Sequence, residues 1–169
     1  MDNYTTSDIY LNHDVAASYI GNFVGMAGGN TFKRNYASGN ITLNHQSDYS
    51  VSGFAGYIAE YAGQPYTLTD NFSTGSYTDA VGLYGTYPDY IGGIVGFTYK
   101  KNSDTFENNY YSSYEEGCSG KSSPQKPECS KVSSEAFQDK SHAVYTRSNN
   151  AWDFVNTWME VTGQLPVLR

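Results

Sequence analysis

The chain has 169 residues, enough for one folded domain with a sizeable core, and a formal net charge of -7 at pH 7. This acidic balance, with no cluster of Lys or Arg, argues against binding to nucleic acid or to an anionic membrane surface. Only 16% of the residues are charged, while Gly and Tyr each number 17, so turn-rich β structure is favoured over helix.

The chain contains no apolar run near the roughly 20 residues that cross a bilayer, so no membrane insertion of this segment is expected. Its start, Met1-Asp2-Asn3-Tyr4, lacks the basic and apolar stretches of a signal peptide. We therefore expect the chain to be a segment of a longer precursor.

The first repeated element is an Asn followed by an aromatic residue and then by small residues. Its Asn positions step by 32, 36 and 38 residues along the chain. A fixed period of this size is typical of stacked repeat units. The four copies are Asn3-Tyr4-Thr5-Thr6-Ser7, Asn35-Tyr36-Ala37-Ser38-Gly39, Asn71-Phe72-Ser73-Thr74-Gly75 and Asn109-Tyr110-Tyr111-Ser112-Ser113.

A second element alternates with the first and consists of an apolar residue, small residues, two apolar residues and a glycine. A third correspondence, between Leu11-Asn12-His13 and Leu43-Asn44-His45, repeats the step of 32 and puts the first two repeats in phase. The copies of the second element are Ile20-Gly21-Asn22-Phe23-Val24-Gly25, Val51-Ser52-Gly53-Phe54-Ala55-Gly56 and Ile91-Gly92-Gly93-Ile94-Val95-Gly96.

These repeats predict an all-β fold, a right-handed parallel β-solenoid of about four rungs with a C-terminal cap. The alternative is an antiparallel β-sandwich, which does not require like residues to return at one period. We expect two inward columns, a stacked aromatic ladder, and corner glycines with positive φ or close backbone approach. The inward columns are Ile20/Val51/Ile91 and Phe23/Phe54/Ile94. The aromatic ladder is Tyr4/Tyr36/Phe72/Tyr110, and the corner glycines are Gly25, Gly56 and Gly96.

Residues 1–113 form the predicted repeats, and residues 114–169 form the remainder of the same domain. In that remainder, 114–131 is expected to be a surface excursion that a Cys118–Cys129 disulfide closes, which favours an extracellular setting. A short helix is predicted after a Ser133 cap. The segment from Trp152 to Leu168 is expected to be a last strand or a cap over the terminal rung.

At these residues the sequence resembles the GLUG-repeat family, whose Gly-Leu-any-Gly pattern is similar to Gly93-Ile94-Val95-Gly96. The resemblance covers most of the chain, although Ala55 and the extra Val81-Gly82-Leu83-Tyr84-Gly85 depart from the pattern and leave the rung count open. Such repeats occur in bacterial filamentous-haemagglutinin-like adhesins and in non-catalytic regions of immunoglobulin A-cleaving metallopeptidases. The resemblance implies surface display or secretion, and no particular ligand.

Catalytic or metal chemistry finds little support in the sequence. The histidines His13, His45 and His142 lack zinc-peptidase spacing. On adjacent rungs His13 and His45 would be close enough to share a transition metal, but solvated side chains are the favoured interpretation. No calcium-loop motif is present. Carboxylates suited to a glycan-cleaving β-helix enzyme fall in turns without a shared spacing: Asp79, Asp89, Asp104 and Glu107. We predict no catalytic activity in this segment, no metal and no cofactor.

Seventeen tyrosines exceed what a slim core can hold, so some are expected to be exposed and to bind a partner. We predict a non-catalytic module of a bacterial secreted or cell-surface adhesin, acting as a stalk or as a binding surface for a host glycan or surface protein. Neighbouring copies in a longer array are further possible partners, and the alternatives are a glycan-cleaving β-helix enzyme or a non-catalytic region of a secreted metallopeptidase. The candidate ligand-binding residues are Tyr57, Tyr61, Tyr66, Tyr84, Tyr87 and Tyr90.

Overall fold

The computed structural model describes residues 2–12, 18–44, 49–79, 90–99, 101, 103–113, 117–122, 129–147 and 151–169, with side chains except at Tyr49, Lys121 and Ser122. The described chain winds as a parallel β-solenoid, as predicted. The antiparallel sandwich is excluded, because each described pair of strands between successive turns is parallel.

Three successive turns each contribute five short strands. The first turn holds β1 (Asn3–Thr5), β2 (Ile9–Leu11), β3 (Ser18–Gly21), β4 (Val24–Gly28) and β5 (Thr31–Lys33). The second holds β6 (Asn35–Ala37), β7 (Ile41–Leu43), β8 (Tyr49–Ser52), β9 (Ala55–Ala59) and β10 (Thr67–Thr69). The third holds β11 (Phe72–Ser73), β12 (Tyr77–Asp79), β13 (Ile91–Gly92), β14 (Val95–Tyr99) and β15 (Thr105–Glu107).

A shorter fourth turn follows, with β16 (Asn109–Tyr111) and β17 (Ser119–Ser122), before β18 (Cys129–Lys131) returns to the starting side. The strands stack into five parallel sheets, which we label A to E. Sheet A is β1, β6, β11, β16 and β18; sheet B is β2, β7 and β12; sheet C is β3, β8 and β13; sheet D is β4, β9, β14 and β17; sheet E is β5, β10 and β15.

The register of the sheets follows the sequence repeat. Asn3 lies opposite Asn35, and Phe72 lies opposite both Tyr36 and Tyr110, so the steps of 32, 36 and 38 residues each correspond to one turn. Loops of different length between the strands absorb the differences in period. Like residues therefore return to the same place on each turn, which is the condition for continuous columns along the axis.

The predicted inward columns form the core. In sheet C, Ile20, Val51 and Ile91 lie in register and are all buried. Phe54 and Ile94 are fully buried, and the ring of Phe54 stacks on that of Phe23 with 4.6 Å between centroids. Burial of these side chains between successive turns is the main stabilising contribution, because no turn can bury its apolar face alone.

A ladder of buried asparagines runs through the corner before sheet A. The Oδ1 of Asn35 accepts from the backbone N–H of Asn3 at 2.9 Å, and the Oδ1 of Asn71 accepts from that of Asn35 at 3.0 Å. The Oδ1 of Asn109 accepts from Asn71 in the same way at 3.1 Å. The side-chain amides donate further hydrogen bonds, including one of 3.1 Å from Asn71 Nδ2 to the Phe32 carbonyl. Each asparagine thus pairs polar groups that the corner would otherwise leave buried without partners.

The residues before Asn35, Asn71 and Asn109 adopt the left-handed conformation. Arg34, Asp70 and Asn108 have φ values of 57°, 58° and 54°. This conformation is costly for most residues and is tolerated best by Asn and Asp among those with side chains. The repeated turn chemistry fixes where sheet E ends and sheet A begins.

Close backbone approach between successive turns accounts for the repeated glycines Gly25, Gly56 and Gly96 in sheet D. A Cβ built on Gly56 would lie 2.7 Å from both the carbonyl oxygen of Gly25 and the carbonyl carbon of Tyr19. The glycines with positive φ among the described residues lie elsewhere, so only the close-approach part of the prediction is confirmed. Gly25, Gly56 and Gly96 stand second in their strands and do not end them.

The fourth turn corrects the expectation of a surface excursion across 114–131. Strand β17 extends sheet D beside β14, and β18 extends sheet A beside β16. The predicted disulfide joins Cys118 to Cys129, with 5.3 Å between their Cα atoms. Both cysteines pack against the main core. The excursion therefore continues the solenoid and closes it covalently.

The predicted short helix after Ser133 is a 3-10 helix, Ser134–Gln138, but the Ser133 side chain makes no capping hydrogen bond to it. The helix α1 (Ala143–Thr146) follows. An antiparallel pair, β19 (Trp158–Met159) and β20 (Val167–Leu168), completes the C-terminal segment. No helix within the described ranges is long and apolar enough to span a membrane.

This segment packs on the outer face of sheet A, where the predicted aromatic ladder stands. Tyr36 stacks on Tyr4 at 5.1 Å and on Phe72 at 4.8 Å between centroids. The next ring on Phe72 is Phe137 of the 3-10 helix, at 4.4 Å, and Tyr110 meets Phe137 edge-on. The ladder is therefore completed by a residue from outside the repeat.

The C-terminal segment covers the side of the solenoid and not its terminal rung, which corrects the predicted placement. Trp158 is fully buried with its ring 6.2 Å from that of Tyr4 in the first turn. The hydroxyl of Tyr36 donates to the Pro166 carbonyl at 2.6 Å. The segment crosses several turns because the aromatic column that it covers runs along the axis.

Candidate functional site

A second aromatic column stands on the outer face of sheet D. Met26, Tyr57 and Phe97 lie opposite one another in β4, β9 and β14. Strand alternation directs them outward, because the next residue on β9, Ile58, is fully buried in the core.

Three further rings border this column. Tyr19 precedes the inward Ile20 in β3, Tyr90 precedes the inward Ile91, and Tyr99 ends β14. We call the whole set the sheet D aromatic surface, defined by Tyr19, Met26, Tyr57, Tyr90, Phe97 and Tyr99.

The rings at the centre of this surface stack along the solenoid axis. The Tyr57 ring lies 4.8 Å from that of Tyr19 with an interplanar angle of 27°, and 5.5 Å from that of Phe97 with an angle of 19°. Tyr19 belongs to the first turn and Phe97 to the third, so both faces of Tyr57 are covered. Tyr57 therefore presents a ring edge to solvent.

Tyr99 is oriented differently. Its ring meets that of Phe97 edge-on, with 4.8 Å between centroids and an angle of 78°. Tyr90 is tilted by 55° against the same ring at 5.8 Å. Tyr99 is also 50% exposed, so its side chain is accessible to solvent at this border of the surface.

Exposure distinguishes this surface from the aromatic ladder of sheet A. Tyr19 is 45% exposed and Met26 is 64% exposed, whereas Tyr36 and Phe72 on sheet A are at most 1% exposed. Both columns point away from the core, but the chain covers only one with its own C-terminal segment. Contiguous exposed apolar surface of this kind often marks an interaction site.

The sheet D aromatic surface is uncharged. Burial raises the pKa of the Tyr57 hydroxyl, and the neighbouring Tyr19 and Tyr99 raise it further, so this group stays neutral at physiological pH. At the border, Lys101 Nζ pairs with Glu60 Oε2 at 2.9 Å. Hydrophobic contact and phenol hydrogen bonds are the interactions that this surface can offer.

The predicted tyrosines are distributed unevenly. Tyr57 and Tyr90 belong to the sheet D aromatic surface, and Tyr61 lies in the loop after β9 with 71% of its surface exposed. Tyr84 and Tyr87 fall outside the described residues.

Tyr66 is the clear error among the predicted site residues, because it is fully buried. Its hydroxyl shares a hydrogen bond of 3.1 Å with Thr98 Oγ1, and its backbone N–H donates to Asp104 Oδ1 at 3.0 Å. Burial raises the pKa of Tyr66 to about 12. Tyr66 supports the core and is not available to a partner.

Sequence reasoning missed Tyr19, Met26, Phe97 and Tyr99. A signal was present, because Tyr19 and Tyr90 each precede the first apolar residue of the second repeat element. Met26, Tyr57 and Phe97 each follow its final glycine by one position. Extending the repeat alignment by one residue on either side would have found both groups.

The carboxylates considered for catalysis are dispersed. Asp104 accepts from the backbone N–H groups of Tyr66 and Lys101, Glu107 pairs with Arg147, and Asp79 lies in sheet B. Asp89 lies outside the described residues, as do His13 and His45. Within the described part of the chain, no group of three or more His, Cys, Asp or Glu side chains could hold a metal ion.

A shallow depression of about 390 Å³ lies between the third turn and the C-terminal segment. Arg147 spans it, paired with Glu107 and lying 3.9 Å from the buried Asp70. Asn108 donates to Asp70 at 2.5 Å and to the Ala143 carbonyl at 3.3 Å. These contacts fasten α1 to the corner of the solenoid.

Comparison with protein-family models, with curated proteins and with solved structures finds no match to this chain.

Proposed function

We propose that the chain is a non-catalytic repeat module of a bacterial secreted or cell-surface adhesin, and that the sheet D aromatic surface is its binding surface. The solenoid acts as a rigid scaffold that holds the side chains of this surface at fixed spacing. Rigid presentation favours affinity, because little conformational entropy is lost when a partner binds.

The observation that carries the proposal is the contrast between the two outward aromatic columns. The chain uses about a fifth of its length to cover the column on sheet A, and it leaves the column on sheet D open. An uncovered column loses the stabilisation that burial would provide, so its retention is more readily explained by contact with a partner.

Two further features support a role outside the cytoplasm. Disulfides such as Cys118–Cys129 are typical of proteins that fold in an oxidising compartment. The resemblance to GLUG repeats, carried by motifs such as Gly93-Ile94-Val95-Gly96, is a resemblance to proteins of bacterial surfaces.

The proposal is tested by passing the purified chain over immobilised host glycans and matrix proteins, with retention and released fragments recorded together. The test variant is Tyr19→Ala with Tyr99→Ala. The matched control is Tyr10→Ala, which removes a tyrosine that is 63% exposed on sheet B.

We expect retention of the unmodified chain and of the control, and at least tenfold weaker retention of the test variant. Equal retention of the two variants would place the binding surface elsewhere. Released fragments would instead support the alternative of a glycan-cleaving enzyme.

A further inference from the structure

We propose that the ligand of this surface is a neutral glycan, which lies along the solenoid axis on the Tyr99 side of sheet D and stacks on Tyr99 and Tyr61. This inference rests on the proposed function and deepens it by assigning the chemical class of the ligand and the rings that bind it.

The ring faces decide where a sugar can stack. A pyranose packs the C–H groups of one face against the electron-rich face of an aromatic ring while its hydroxyl groups remain in water. Tyr57 cannot serve, because Tyr19 and Phe97 cover its two faces. Tyr99 can serve, because it meets Phe97 edge-on and half of its surface is exposed.

Tyr61 supplies a second platform on the same side of sheet D. It is the most exposed of the described tyrosines, at 71%. Its Cβ lies 2.8 Å from the position of a Cβ built on Gly28, so the loop can rest on β4 only because residue 28 is a glycine. This contact fixes the base of the Tyr61 side chain against the first turn.

Small residues lie between the two platforms. Gly28 in the first turn is opposite Ala59 in the second, and Ala59 is opposite Tyr99 in the third. The positions of Gly28 and Tyr99 are therefore two rungs apart, about 10 Å along the axis. Ala59 between the two platforms is only 9% exposed, so an extended chain of sugars would rest on the aromatic side chains at the two ends.

The electrostatics around the two platforms favour a neutral ligand. Glu60 follows Ala59 and Lys101 lies two residues after Tyr99, and their charges neutralise each other in an ion pair of 2.9 Å. With a net charge of -7 on the whole chain, an acidic glycan would be repelled. The phenol hydroxyls can donate to and accept from sugar hydroxyls without a change in charge.

The test measures binding of cello-, xylo-, manno- and chito-oligosaccharides to the full chain by ligand-observed NMR and calorimetry. Heparin-derived oligosaccharides serve as the acidic comparison. The variants are Tyr99→Ala and Tyr61→Ala, with Tyr10→Ala on sheet B as the control. Melting temperatures show whether each variant remains folded, and the exposed positions of Tyr99 and Tyr61 make this expected.

We expect at least one neutral oligosaccharide to bind, each of the two alanine variants to weaken that binding by about tenfold, and the Tyr10→Ala control to remain within about twofold of the unmodified chain. Binding only to acidic oligosaccharides, or binding that neither alanine variant weakens, would overturn the inference.

Failure of this inference can be told apart from failure of the proposed function. If no oligosaccharide binds but a matrix protein retains the chain and Tyr19→Ala with Tyr99→Ala abolishes that retention, the binding surface is correct and the glycan assignment is wrong. If neither class of ligand binds, both proposals fail.

Discussion

Cys129 lies opposite Asn109 in the parallel pair of β16 and β18, at the position where each earlier turn places an asparagine. The ladder of side-chain amides therefore ends on a cysteine, and the disulfide to Cys118 takes its place. In the first three turns hydrogen bonds between neighbouring turns hold this corner. In the last turn a covalent bond joins the start of β17 to the start of β18.

Replacing both cysteines, with Cys118→Ser and Cys129→Ser, is expected to lower the free energy of unfolding by about 3 kcal/mol, the entropic contribution of closing a short loop. The loss should begin locally in β17. The N–H groups of Gly93 and Ile94 donate to the carbonyls of Gly117 and Cys118, so their hydrogen exchange should accelerate first.

The measurement is denaturant unfolding combined with amide exchange, on the oxidised chain, the reduced chain and the double variant. Reductant should not change the stability of the double variant, which therefore serves as the control. Unchanged exchange at Gly93 and Ile94 after reduction would show that β17 holds without the disulfide.

Asn71→Ala is expected to cost about 3 kcal/mol, because it removes an acceptor and donors at the centre of the buried ladder. Asn35 would lose the partner of its backbone N–H, and the carbonyl of Phe32 would lose a donor. The control is Asn12→Ala, which removes an exposed amide that accepts from Asn44 and should change stability by less than about 0.5 kcal/mol. Thermal unfolding compares the two; equal losses would mean that the ladder adds nothing beyond exposed amide pairs.

Deletion of Trp152 to Leu168 is expected to cause aggregation, because it uncovers Tyr36 and Phe72 on sheet A. Light scattering during refolding measures this. A truncated chain that remains monodisperse and melts cooperatively would contradict the expectation.

A point variant tests the same contact without truncation. Trp158→Ala should lower stability by about 4 kcal/mol through loss of a fully buried ring. Met159→Ala is the matched control, since Met159 is 41% exposed on the neighbouring position of β19, and a loss of less than about 1 kcal/mol is expected. Denaturant unfolding of both variants gives the comparison.

Stability is expected to fall under alkaline conditions. Burial raises the pKa values of Tyr36, Tyr66 and Tyr145 above the ordinary 10.0, to about 12 for Tyr66. Above pH 10 the unfolded chain releases these protons while the folded chain retains them, so the contribution is complete below pH 10 and is lost as the pH rises toward 12. Tyr66 alone accounts for up to about 3 kcal/mol of this loss.

Urea unfolding across that pH range, with tyrosinate absorbance recorded in parallel, measures the effect. Tyr66→Phe should make the decline shallower, because a phenylalanine has no proton to release. A decline of equal slope in the variant would remove Tyr66 as a cause.

The sequence predicted the solenoid because its period is expressed in residues that face the same neighbours on every turn. The Asn positions, the column Ile20/Val51/Ile91 and the stack of Tyr36 on Tyr4 and Phe72 all lie in the expected register. The repeat period does not indicate which face of each strand points into the core. The amide ladder was therefore missed, although every asparagine in it had been identified.

Two other predictions were wrong because they depend on contacts between residues that are distant in the sequence. Tyr66 was expected to be exposed in a loop of the middle repeats. Its backbone N–H instead donates to Asp104, 38 residues away, and its hydroxyl shares a hydrogen bond with Thr98. The place of the C-terminal segment was misjudged because only the structure shows that Tyr36 and Phe72 point outward and need covering. Tertiary contacts of this kind leave no mark in local sequence pattern.

The path of the C-terminal segment determines how the domain would carry mechanical load. Trp158 lies against Tyr4, and Arg169 donates to the Trp158 carbonyl, so the first and last described strands meet beside the first turn. Tension applied through residues 2 and 169 would concentrate on that junction, and the turns beyond it would bear almost no force. The solenoid would then stand beside the line of tension, and the sheet D aromatic surface would keep its shape under that load.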